Sequence, residues 1–245
     1  NVVVGHAARI AETGDWRPAT YHYPPLVIHV QAAAFTALRA GWEWLGLSAS
    51  MPPPGLHEAP TPYYLLARML SALAGAAAGV VVYRSARRLV GLWPAAFAGF
   101  ALALAPGFVM ESHYGTVDAI ATLLVALALD AAIRAAQSGG TGWWWAGVWS
   151  GLAAGAKYVT GLAILPALLF RLRARSDRHA GLWLLLGLGT GLVVSFPHAM
   201  PAPVGATMSP IAVVAPSATQ TLRALSGYRA AQQSSPTGLT ASFDR

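Results

Sequence analysis

The chain has 245 residues, of which 56% are hydrophobic and only 10% charged, far below the roughly 25% charged of a soluble domain. It contains no cysteine, which excludes a disulfide framework, thiolate catalysis and any cysteine-ligated metal. The net charge of +7 comes from fifteen arginines and one lysine, and the arginines gather at the ends of apolar runs. That pattern reads as membrane topology, not as a nucleic-acid surface.

Several runs approach the ~20 apolar residues that cross a ~30 Å hydrocarbon core, and none shows the alternation of a barrel strand. The expected fold class is all-α, a polytopic membrane helix bundle. The chain opens on Asn1, with no charged segment leading into an apolar one, and reads as a fragment whose N-terminus lies upstream.

Residues 1–23 are polar, but Val3, Ala7, Ile10 and Ala11 recur at helical spacing. They predict a short amphipathic helix ending near Thr13-Gly14. Tyr21-His-Tyr-Pro-Pro-Leu26 is a turn that opens the next helix. Residues 26–47 are interrupted by His29, Gln31, Arg39 and Glu43, and each charge at the bilayer centre would cost about 2.5–3.5 kcal/mol. With Trp42 and Trp44 at its end, this segment reads as a helix lying in the interface. Residues 48–61, with Pro52-Pro-Pro54, form a loop.

Spans are predicted over residues 62–83, 93–110, 117–136 and 180–197. The first is followed by Arg84, Arg87 and Arg88; the third ends near Arg134; the last is preceded by Arg171, Arg173, Arg175 and Arg178. With these arginines cytoplasmic, residues 1–61 and 107–117 face the other side. Residues 142–173 then start and finish on the cytoplasmic side but are too few for two full spans. Two half-length helices, 143–156 and 159–170, are predicted to meet at Gly155-Ala-Lys-Tyr-Val-Thr-Gly161. Such a break is tolerated only where protein or a watery cavity satisfies the backbone. Gly75/Gly79, Gly147/Gly151 and Gly151/Gly155 permit close helix approach, but chance explains them equally in so Gly-rich a chain. Residues 199–245 change character and read as a low-order tail or a sequence artefact. Three regions follow: an extracytoplasmic first-loop region (1–61), a transmembrane bundle (62–198) and the tail (199–245).

Lys157 is the only lysine, in the middle of the otherwise uncharged stretch 143–170. An ionisable residue there is a functional hypothesis by default; the alternatives are a snorkelling or purely structural lysine. Glu111-Ser-His-Tyr-Gly-Thr-Val-Asp118 is a polar octet between two uncharged apolar runs, either a plain surface loop or the floor of a site. Asp118 and His113 offer a carboxylate and an imidazole there, although Asp118 also suits the N-terminus of a helix electrostatically. Glu111 and His113 supply two metal ligands without a third, so a divalent cation is compatible but not predicted, and no cofactor is assigned. His22 and Tyr23 precede the Pro-Pro step as ligand contacts or as interfacial aromatics. Arg68 pairs a lipid phosphate or snorkels, and Tyr158 joins the polar group beside Lys157. His29, His57 and Glu58 read as solvated or interfacial.

In order, Tyr23-Pro-Pro-Leu26, Leu66-Ala-Arg-Met-Leu-Ser-Ala-Leu73, Val82-Tyr-Arg-Ser-Ala-Arg-Arg-Leu-Val-Gly91, Ala105-Pro106, Ser112-His-Tyr-Gly-Thr-Val-Asp118 and Gly151-Leu-Ala-Ala-Gly-Ala-Lys-Tyr158 resemble a known module. It is the membrane module of GT-C glycosyltransferases, in the bacterial branch similar to protein O-mannosyltransferases, and the resemblance covers about residues 1–200. The resemblance implies transfer of a sugar from a polyprenyl-phosphate donor to an extracytoplasmic acceptor, in the inner membrane and with no nucleic-acid partner. It implies a catalytic acid in an Asp-Glu pair upstream of Asn1, so that the fragment lacks its general base. It matches Lys157, with Arg68 and Tyr23, to the donor phosphate, and Asp118 and His113 to a supporting polar cluster. Sugar and acceptor are not assigned. The rivals are a polytopic transporter or lipid flippase and a non-catalytic inserting fragment. Transporters pair broken helices in both halves, whereas the sequence predicts one break.

Overall fold

The structure is a computed structural model that describes residues 2–17, 23–47, 61–174 and 179–197. His22, His57, Glu58, the Pro52-Pro-Pro54 loop, Arg175, Arg178 and the tail 199–245 lie outside the described residues. Among the described residues every regular element is helical.

The N-terminal pair follows its apolar spacing. Helix α1 (Val2–Thr13) buries Val3, Val4, Ala7 and Ile10. It stops where Gly14 adopts φ +68°, its amide bonding the Ile10 carbonyl at 2.9 Å. Asp15 then accepts the Arg17 amide at 3.1 Å and pairs with Arg9 at 3.5 Å. The Arg17 amide, together with Arg9, holds the Asp15 carboxyl below its ordinary range. Helix α2 (Leu26–Trp44) buries Val27, Ile28, Gln31, Ala32 and Phe35 along one stripe and leaves Trp44 86% exposed. Arg39 donates from Nη1 to the Ala11 carbonyl at 3.0 Å, which ties α2 to the end of α1. His29 is engaged as well, with Nε2 3.0 Å from the Trp16 carbonyl.

Helix α3 (Thr61–Arg87) and helix α6 (Asp118–Ser138) are each long and apolar enough to cross a membrane. The span expected over 93–110 is broken: α4 (Leu92–Leu104) and α5 (Pro106–His113) meet at a 52° bend and form a third span only as a pair. Pro106 causes the break, because its nitrogen has no hydrogen to donate and its ring excludes the preceding helical turn. The last apolar helix, α9 (Ala180–Ser195), is shorter than the 180–197 span expected. Its 16 residues reach about 24 Å, less than a ~30 Å core.

Two apolar clusters fix the direction of each helix. One gathers Val3, Ile10, Ile28 and Phe35 with Tyr63 and Ala67 of α3, Val117 to Leu124 at the start of α6, and Ala153 and Ala156. The other joins Ala131 to Ala135 at the far end of α6 with Trp143, Ala146, Ala167, Ala180 and Leu184. Helix α7 (Gly142–Ala156) therefore runs from the second cluster to the first, and α8 (Ile164–Arg173) returns to the second. The predicted reversal is present, with one difference. The returning limb opens as a 3-10 helix over Tyr158–Ala163, so α8 starts at Ile164 and not at 159.

The small residues of α7 form a real interface. A Cβ on Gly147 would overlap the Leu184 carbonyl, one on Gly151 the Leu188 carbonyl, and one on Gly187 the Trp144 carbonyl. Gly155 faces Ser195 in the same register, so α7 and α9 run parallel with their backbones touching. At the arginine-rich end, buried Asp130 of α6 accepts Arg88 Nε at 3.2 Å, Arg134 Nε at 3.0 Å and Ser85 Oγ at 3.1 Å. This clamp binds the ends of α3 and α6 together.

The glycine seam and the helix directions can each be tested. Gly151→Leu must push α9 off α7 and should lower stability by about 1–3 kcal/mol or more, read by thermal unfolding in detergent. Because the chain is free of cysteine, single cysteines report sidedness directly. Tyr114→Cys and Ser138→Cys, both exposed, should label from opposite faces of the membrane. Labelling of both from one face would refute these helix directions.

Candidate functional site

The site is built where α7 stops. Ala156 ends the helix, and Lys157 takes extended geometry (φ −152°, ψ 126°) before the 3-10 turn. Thr160 closes the break: its amide bonds the Lys157 carbonyl at 3.0 Å, and its hydroxyl reaches the Lys157 and Ala153 carbonyls at 2.7 and 2.6 Å. The Lys157 amide also bonds the Ala153 carbonyl at 3.0 Å, so backbone amides and one hydroxyl together satisfy the polar groups of the turn.

Across from this turn, Asp118 begins α6. Its Oδ1 accepts Lys157 Nζ at 2.5 Å. Neither residue is free to wander, because each is anchored by a buried neighbour in one cluster, Val117 for the acid and Ala156 for the lysine. Both side chains keep about a third of their surface exposed, so the pair stays open to a ligand.

The loop that delivers Asp118 is held from three sides. Gly115, at φ +65°, lies flat against Ala67 and Arg68 of α3, where a Cβ would come within 3.1 Å of Ala67. Its carbonyl accepts Gln31 Nε2 at 3.1 Å, and the Thr116 carbonyl accepts Ser71 Oγ at 3.3 Å. Thr116 Oγ1 in turn donates to Glu111 Oε2 at 3.0 Å.

A cavity of about 280 Å³ opens beside the pair, lined by Tyr23, Glu111, Thr116, Asp118 and, from α1, Val2 and Val3. It lies at the small end of ligand pockets, which span ~300–1,000 Å³, and suits one sugar ring better than an oligosaccharide. Tyr23 and Glu111 are within electrostatic reach of the Lys157 ammonium. Thus Lys157, Asp118, Glu111 and Tyr23 come together as one site. Tyr158 sits next to it, half exposed and stacked on Phe196 with ring centroids 6.5 Å apart.

Arg68 and His113 do not join them. They line a separate cavity of about 500 Å³ on the other side of the octet, with Met69, Ala72 and Met110. His22 lies outside the described residues. Among the described residues no three His, Asp or Glu side chains are placed to hold a metal ion. Sequence reasoning missed Gln31, which is wholly buried and positions the loop. The available signal was its place in the Ile28, Gln31/Ala32, Phe35 stripe, where a polar residue must find a buried partner.

The family model for dolichyl-phosphate-mannose-protein mannosyltransferases matches residues 65–200, more than half of the chain. The chain belongs to that family. Membership makes it a membrane glycosyltransferase of the mannosyltransferase type, a class supplied by a lipid-linked sugar donor. The family match takes in Arg68, Glu111, His113, Asp118, Lys157 and Tyr158, whereas Tyr23 precedes it. It also decides between enzyme and transporter on firmer ground than helix breaks. The bend at Pro106 is a second break, so the expectation of a single one does not hold. No curated protein and no solved structure matches the chain.

The Lys157–Asp118 contact should be energetically coupled. For a pair this exposed, a double-mutant cycle of Lys157→Met and Asp118→Asn should return about 1 kcal/mol of coupling in detergent unfolding. Strict additivity of the two single changes would show that the contact contributes nothing.

Proposed function

We propose that this mannosyltransferase-family chain transfers a sugar from a polyprenyl-phosphate donor to an acceptor on the extracytoplasmic face of the inner membrane. The observation that carries the reading is the Lys157–Asp118 pair at the rim of a small cavity with Glu111 and Tyr23. The sidedness is supported by the arginines: Arg84, Arg87, Arg88, Arg134, Arg171 and Arg173 all lie at the end away from this cavity.

In such a transfer the bond between the sugar's anomeric carbon and the phosphate oxygen breaks, and a bond to the acceptor oxygen forms. The acceptor proton passes to a general base. The electron pair of the broken bond stays on the phosphate. An ammonium aimed at that oxygen stabilises the charge where it develops. Lys157 is assigned this role, with Tyr23 as a hydrogen-bond donor to the same group. The oxocarbenium character of the sugar is stabilised by nearby carboxylates, the role assigned to Glu111 and Asp118. Asp118 also balances Lys157 while no donor is bound, so donor entry exchanges one anionic partner for another. The structure gives His113 no place in this cavity, and its supporting role is not retained.

In the intact enzyme, Lys157→Met should insert and accumulate normally yet lose at least tenfold in donor affinity or turnover, about 1.4 kcal/mol. Lys157→Arg should restore part of it, since a planar guanidinium fits an ammonium's place poorly. Wild-type turnover of lipid-linked sugar by Lys157→Met, with unchanged donor affinity, would remove the phosphate role.

A further inference from the structure

The cavity on the other side of the octet has a different chemistry. Its charged member is Arg68; no acid lines it, and Met69, Ala72 and Met110 make much of its wall apolar. Arg9, Arg88 and Arg134 each meet a carboxylate, but Arg68 forms no ion pair among the described residues. His113, on the same wall, donates Nδ1–H to the Val109 carbonyl, 2.8 Å away.

Depth identifies the ligand. Helix α3 has 27 residues and is about 40 Å long, some 10 Å more than the hydrocarbon core. With Arg84 at one boundary, ~30 Å back along the helix falls near Tyr64, and Arg68 lies about one turn inside it. That depth lets a long cationic side chain reach lipid phosphates while its stem stays in hydrocarbon. Toward the other boundary the same outward side of α3 carries exposed Met69, Leu73 and Val80. The cavity is therefore cationic where phosphates lie and apolar where acyl chains lie. A soluble anion would gain nothing from the apolar wall. The donor's sugar would find none of the carboxylates that line the Lys157 cavity.

We propose that this cavity holds an anionic bilayer phospholipid, its phosphate on Arg68 and its acyl chains along α3 and α5. The proposal rests on the membrane reading of α3 and is independent of the donor assignment to Lys157, since no sugar transfer enters its test.

The test is native mass spectrometry of the chain released from vesicles of equal phosphatidylglycerol and phosphatidylcholine. The chain should retain phosphatidylglycerol preferentially. Arg68→Gln should lower that retention about tenfold, ~1.4 kcal/mol. Arg87→Gln, the same charge change at the opposite end of α3, should change it less than about twofold, well under 1 kcal/mol. Equal retention by wild type and Arg68→Gln would overturn the proposal. So would displacement of the lipid by inorganic phosphate alone, which would make the site one for a soluble anion. Displacement by a short-chain polyprenyl phosphate would overturn it too and return Arg68 to the donor.

Discussion

A helix that stops inside a membrane protein must answer two demands at once: its last carbonyls need donors, and any charge at the break needs a partner. At Lys157 the chain meets both. The Lys157 and Thr160 amides bond the Ala153 and Lys157 carbonyls, which the Thr160 hydroxyl also reaches, and Asp118 takes the ammonium. Much of the surrounding architecture follows from keeping Asp118 where it is. The acid is the first residue of α6, and the start of α6 is set by a loop laid flat on α3 by Gly115 and fastened by Gln31 and Ser71. The N-terminal helices, distant in sequence from Lys157, thus help position its counter-ion.

Helix α6 is the axis of this arrangement, because it carries an acid at its start and another about three turns further on. Asp118 meets a lysine at the site, and Asp130, about 18 Å further along, meets Arg88 and Arg134. The two pairs have different consequences. Asp130 is buried and triply bonded, the condition of a structural clamp. Asp118 and its lysine remain a third exposed, the condition of a pair that can change partners. The reversal itself is kept rigid by α9, which matches α7 in length and touches it backbone to backbone through glycine. A longer side chain anywhere in that seam would displace the limb that carries Lys157.

Apolar length and arginine placement made the spans, the opposed ends and the reversal at Lys157 legible in the sequence, because each follows from a local count of residues against membrane thickness. What stayed hidden depended on which face of a helix meets which neighbour. Gln31 reads as an interruption of an apolar run until the loop carbonyl above it is seen. Asp130 meets Arg88 only because another helix brings that arginine to it. Arg68 and His113 stand near the other polar residues in sequence and in height. Only the packing of Gly115 onto α3 puts a wall between them and Lys157.

That wall bears on how a donor would lie on the proposed reading. Lys157 faces two carboxylates, Asp118 and Glu111, so the empty site carries one negative charge more than positive. Two unit charges 4 Å apart, at an effective dielectric near 20, interact by about 4 kcal/mol. A phosphate placed beside Glu111 would meet repulsion up to that order, whereas one placed at Lys157 would meet an attraction that Asp118 offsets in part. The neutral sugar has no such conflict and can offer hydroxyls to both carboxylates. The electrostatics therefore favour one orientation, with the phosphate at the turn and the sugar in the cavity beside Glu111. That orientation sets the anomeric carbon, which carries the phosphate, between the Lys157 turn and the cavity that Asp118 and Glu111 line.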